Sequence, residues 1–101
     1  MNQDDKKLNR VADVLRVIGH PTRMKIMLLL AKQGPLSVST IQVSLRQREE
    51  QSLISRHLIK MKDKGILASE RQGKENHYAL SDPSLINVVD MLSLEAIANS
   101  L

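Results

Sequence analysis

Residues 51–80 constrain this chain more than any other stretch: the short cationic helix pattern Q-S-L-I-S-R-H-L-I-K-M-K-D-K-G runs straight into a two-strand hairpin pattern with Gly73 near its tip. Within the helix, Ile54, Leu58 and Met61 recur at spacings of four and three, so they stack as one buried stripe. Half a revolution away, Ser52, Ser55, Arg56, Ile59 and Asp63 face outward, flanked by Gln51, Lys60 and Lys62. This face is polar and mainly cationic. Gln and Arg make paired hydrogen bonds to base edges in a major groove, serine donates or accepts, and lysine contacts phosphate. The same residues also suit an amphipathic helix with ordinary solvated lysines, and the helix alone does not separate the two readings.

The sequence after the helix shifts the balance. Gly65 stops the helix as a left-handed C-terminal cap does, and Ile66-Leu67 then enters a strand. Leu67, Tyr78 and Leu80 supply the apolar positions of a hairpin whose turn is read as Gln72-Gly73-Lys74-Glu75-Asn76. Arg71, Lys74 and His77 then decorate a protruding wing that reaches a neighbouring phosphate or minor groove. A groove-shaped helix beside a cationic hairpin makes up the working half of a winged helix-turn-helix. The expected fold is therefore mainly α with a small β-hairpin wing, and duplex DNA is the first partner to consider. A hairpin this short needs helices to pack on.

The 101 residues suit a single domain spanning 1–101 with a modest core, which a subunit interface would help to stabilise. A net charge of +4 and a pI near 9.7 suit a polyanionic partner without identifying it. With no cysteine, neither a disulfide framework nor a thiolate metal site is available. No apolar run is long enough for a membrane span, and the acidic start Asn2-Gln3-Asp4-Asp5 does not resemble a secretion signal, so a soluble cytoplasmic protein without membrane contact is expected. Tyr78 is the only aromatic among Phe, Trp and Tyr, which argues against binding single strands by base stacking.

About five helices are expected. Leu8, Val11, Ala12, Leu15 and Ile18 form the stripe of a first helix at about 4–18, ending at Gly19. Pro21, tolerated in a first helical turn, starts a second helix. It carries Met24, Ile26, Met27, Leu28, Leu29 and Leu30, apolar nearly all round and so suited to the core; Gln33-Gly34-Pro35 breaks it. Ser37 or Ser39 caps a third helix whose Val38, Ile41 and Leu45 face inward, and the helix-turn-helix spans about 37–64 with the charged segment 46–50 as its turn. The wing covers about 66–80. Ser81-Asp82-Pro83 opens a last helix at about 82–99, with Leu85, Val88, Val89, Leu92 and Ala96 on one side and Ile86, Leu94, Ile97 and Leu101 on others. Two apolar faces imply two packing partners.

The string Ile18-Gly19-His20-Pro21-Thr22-Arg23-Met24-Lys25-Ile26-Met27 resembles the start of the second helix in the ArsR/SmtB family of bacterial repressors. Ser55-Arg56-His57-Leu58, followed by Lys62-Asp63-Lys64-Gly65-Ile66-Leu67, is similar to that family's recognition helix and its exit. The resemblance covers most of the chain in the right order. It implies a homodimer joined by its first and last helices, through Leu8, Val11, Leu15, Leu85, Val88, Val89, Leu92 and Ala96, that binds an imperfect inverted repeat and blocks transcription. The family's arsenic and cadmium sensors carry a Cys-x-Cys pair in the third helix. Ser37-Val38-Ser39 stands here instead, and hydroxyls are poor ligands for soft metals. Zinc and nickel sensors of the family use Asp and His on the last helix, which here offers Asp90 and Glu95 but no histidine. No metal site and no cofactor are expected.

The three histidines show no metal-ligand spacing. His20 is read as a helix cap, His57 as a group that packs or bonds locally, and His77 as a wing contact to DNA. No nucleophile motif is present, so no enzyme is expected. Two departures from the family pattern stand out: the turn at 46–50 is about two residues longer and polar, and Ile59 lies outward, either against a thymine methyl or as a tolerated surface residue. The leading expectation is a dimeric repressor in which Gln51, Ser52, Ser55 and Arg56 read bases while Arg23, Lys60, Lys62, Arg71, Lys74 and His77 hold backbone or groove. The alternatives are a winged-helix module for an acidic protein partner, or a repressor released by a small molecule or a metal. Any inducer is unknown from sequence.

Overall fold

The computed structural model describes residues 2–45, 51–82, 84, 85 and 87. Among these it contains four helices, α1 (Gln3–Ile18), α2 (Pro21–Gln33), α3 (Val38–Leu45) and α4 (Gln51–Asp63), and three strands, β1 (Leu36–Ser37), β2 (Leu67–Gln72) and β3 (Glu75–Leu80). The fifth expected helix lies almost wholly outside the described residues, as does the charged segment 46–50. Its opening is visible: Asp82 Oδ1 accepts the Ser84 N–H at 2.9 Å, and the Asp82 carbonyl accepts the Leu85 N–H at 3.0 Å.

Each helix boundary has a local cause. Asn2 Oδ1 accepts the Asp5 N–H at 2.8 Å, and Asp4 and Asp5 place negative charge in the first turn of α1, where the helix dipole favours it. His20 caps α2, its Nδ1 accepting the Thr22 N–H at 3.2 Å. Ser37, rather than Ser39, caps α3: its Oγ accepts the Thr40 N–H at 3.2 Å. At the end of α4, Gly65 at φ 75° donates to the Lys62 carbonyl and Ile66 to the Met61 carbonyl, both at 2.9 Å. That pair of bonds is the Schellman arrangement, which needs a residue at ease in the left-handed region.

The core gathers around α2 and α4. Ile26, Ile41, Ile54, Leu58 and Met61 are each 0% exposed, so the expected α4 stripe is the part of the reading helix that anchors it. Val17, Ile18, Ile66, Leu67 and Tyr78 close the core from α1 and the sheet. In α1 the core-facing residues are Val14, Val17 and Ile18; the stripe read from sequence is displaced from it by roughly 100° around the helix. Leu8, Val11 and Leu15 consequently remain 66%, 55% and 53% exposed.

The sheet differs from the expected hairpin in two ways. It has a third strand, in the order β1-β3-β2, because Leu36 and Ser37 pair antiparallel with Tyr78 and His77. Its turn is also shorter: Gln72 pairs with Glu75, leaving Gly73 and Lys74 as a two-residue loop with Gly73 at φ 64°. Two-residue hairpin loops favour positive φ because their twist then matches that of the strands.

One ion pair ties α1 to the exit of α4. Asp13 accepts Lys64 Nζ at 3.1 Å and Arg16 Nη1 at 2.9 Å. The Lys64 hydrogen bond holds the Asp13 carboxyl below its ordinary range; desolvation opposes this, and the charges of Lys64, Arg16 and Lys60 add to the lowering. A carboxyl whose pKa is lower folded than unfolded stabilises the fold above its unfolded value, and that contribution disappears as pH falls through the folded value. Asp13→Asn should therefore lower stability above about pH 4, by a small amount because the pair is at the surface, and the two proteins should converge as pH falls and the wild-type carboxyl takes up its proton. Urea midpoints measured from pH 7 to pH 2 check this; parallel curves for the two proteins would contradict it.

Candidate nucleic-acid interface

With the stripe of α4 locked into the core, the rest of the helix has a fixed presentation. Gln51, Ser52, Arg56, Ile59, Lys60 and Lys62 are exposed and Ser55 is half-buried. The wing adds Arg71 and Lys74, both exposed. Directly paired residues share a sheet face, so Arg71 lies with Asn76, Tyr78 and Leu80, while His77 lies on the opposite face with Glu70 and Ser37. Helix and wing meet in one small cleft, lined by Val38, Ser39, Gln51, Lys74, Glu75 and Asn76. A base-reading candidate, Gln51, and a phosphate-holding candidate, Lys74, thus sit on one surface although 23 positions separate them in sequence.

Two residues expected at the DNA make contacts within the protein. Arg23 is half-buried: its Nε donates to His57 Nδ1 at 3.2 Å and its Nη1 to the Val17 carbonyl at 3.1 Å. It links the end of α1, the start of α2 and the middle of α4. His57 is 7% exposed, packed as expected, and its ring lies 4.6 Å from that of His20, so its partners include residues distant in sequence. His77 is half-buried, and its Nε2 lies 4.0 Å from Glu75 Oε2.

The sequence reading also missed Glu75, which accepts a hydrogen bond from Ser39 Oγ at 3.3 Å across the cleft. Nothing local signals that contact, because its partners lie 36 residues apart. Among the described residues, no three His, Cys, Asp or Glu side chains gather into a metal-binding group, and no helix is long and apolar enough to cross a membrane.

Residues 20–69, from the cap of α2 into β2, match the model of the bacterial regulatory proteins of the arsR family. Over 82 residues, covering 81% of this chain and 80% of the relative, the sequence is 35% identical to the transcriptional repressor PagR of Bacillus anthracis. The chain belongs to the arsR family. An uncharacterized HTH-type transcriptional regulator of Methanocaldococcus jannaschii is 30% identical to this arsR-family chain over 87 residues, 86% of this chain and 96% of that one. The crystal structure of PagR superposes with a TM-score of 0.78 at 34% identity, covering 87% of this chain and 98% of PagR. The homodimeric winged helix-turn-helix DNA-binding domain Mb0332 of Mycobacterium bovis superposes at 0.82 over 98% of this chain and 89% of that one; at 21% identity this likeness concerns the fold alone. The arsR-family chain is thus a winged helix-turn-helix protein and a DNA-binding transcriptional regulator.

Proposed function

We propose that this arsR-family chain is a cytoplasmic repressor that binds an inverted repeat in duplex DNA as a homodimer and does not depend on a metal. The observation that carries this reading is the shared cleft, where the first residue of α4 and the wing-tip lysine stand on one polar surface. Gln51, Ser52, Ser55 and Arg56 read base edges in the major groove, and Lys60, Lys62, Arg71 and Lys74 hold phosphates. Arg23 is left out of the contact set because it braces α4 from behind, and His77 because it faces Glu75.

The exposed apolar side of α1 supports the dimer. Leu8, Val11 and Leu15 leave uncovered a stripe that a second copy would bury, and Leu85 flanks the same hollow as Val11, Val14 and Leu15. Val88, Val89, Leu92 and Ala96 complete the proposed interface and lie outside the described residues. Independence from soft metals is supported by Ser37 and Ser39, whose hydroxyls are engaged with Thr40 and Glu75.

Selection of bound duplexes from a random pool tests the reading. Two half-sites related by a twofold axis, centred about one helical turn or a multiple of it apart, are expected. Recovery of a single unpaired motif would contradict the dimer, and no enrichment would contradict sequence-specific binding. Adding zinc or nickel should leave the affinity for the selected duplex unchanged.

A further inference from the structure

We propose that Glu75 is a positioning residue which, by accepting a hydrogen bond from Ser39, latches the wing tip to the start of α3 and so fixes the spacing between Lys74 and Gln51. This rests on the DNA-binding reading above and extends it to a residue that contributes the wrong charge. On a surface otherwise suited to phosphates, a carboxylate repels the proposed ligand, so its geometry has to account for its presence.

The geometry does so. The β1–β3 pairing holds β3 at Tyr78 and His77 and stops there, two residues short of Glu75. Beyond that point the wing is a two-strand hairpin, and such hairpins are marginal without further support. Ser39 Oγ donates to Glu75 Oε1 at 3.3 Å, and the same hydroxyl lies 3.2 Å from Ser37 Oγ. Ser37 is 5% exposed, caps α3 and sits within β1. The tip of the wing is thereby joined to a buried cap of the helix-turn-helix. Lys74 precedes Glu75 in the chain, and Gln51 lines the other side of the cleft, so movement at Glu75 changes the separation of the two proposed DNA contacts.

Three variants separate positioning from charge, measured on a duplex recovered by the random-pool selection. Glu75→Gln and Glu75→Ala lose the same charge, but only glutamine keeps an acceptor for Ser39. Glu75→Gln should therefore bind three- to tenfold more tightly than Glu75→Ala, the range given by roughly one net hydrogen bond. Ser39→Ala keeps the carboxylate, removes the donor and places a good helix former in α3. It should bind about three- to tenfold more weakly than wild type, with the salt slope reduced by about one as Lys74 leaves its phosphate. Unchanged thermal midpoints would show that all three variants fold. Equal affinities for Glu75→Gln and Glu75→Ala, or wild-type binding by Ser39→Ala, would overturn the latch while leaving the DNA-binding reading intact. If wild type shifts no duplex at all, both fall together.

Discussion

Leu58→Ala is expected to cost about 2–5 kcal/mol of folding stability, through lost burial and the cavity left behind. Leu58 is 0% exposed and lies between Ile54 and Met61, which are equally buried, on the face that seats α4 in the core. For a domain of this size the loss corresponds to a fall in Tm of roughly 10 °C or more. It would be read by thermal or urea denaturation. Ile59, the next residue, is 52% exposed, so Ile59→Ala should stay within about 0.5 kcal/mol of wild type. Similar losses at the two neighbours would mean that α4 is not seated as described.

Arg56→Ala should have the converse signature. Arg56 is exposed, so stability should change little. Binding to the selected duplex should weaken by roughly 1–3 kcal/mol and lose discrimination at one base pair, as removal of a bidentate base contact does. Lys74→Ala should instead weaken binding to all sequences alike and lower the salt slope by about one. Competition titrations against single-base variants of the site distinguish the two. A loss at Arg56 that is uniform across those variants would reassign it to a phosphate.

A feature of this fold is legible in the sequence to the extent that it is local. The α4 stripe was legible because Ile54, Leu58 and Met61 recur at helical spacing and each meets the core. Gly65 was legible because a glycine after a basic helix has one common use. Strand β1 was not: two residues cannot show an alternating pattern, and its pairing with Tyr78 and His77 spans some forty positions. By sequence Arg23 suits a DNA contact, as a basic residue near a reading head usually does. Its Nε and Nη1 instead donate to His57 and Val17 because α2 packs against both α1 and α4, a matter of tertiary packing. The sequence showed that Leu8, Val11 and Leu15 form an apolar stripe, and the structure adds that the domain's own core leaves it uncovered.

The surface formed by α4 and the wing is expected to bind duplex DNA as one half of a twofold pair. The most direct measurement is a titration of the purified chain against the selected duplex across a range of salt, with the stoichiometry fixed by sedimentation. The expected result is two chains per duplex, with log K falling linearly against log salt by about 0.9 for each phosphate neutralised. One chain per duplex, or affinity indifferent to salt, would contradict it.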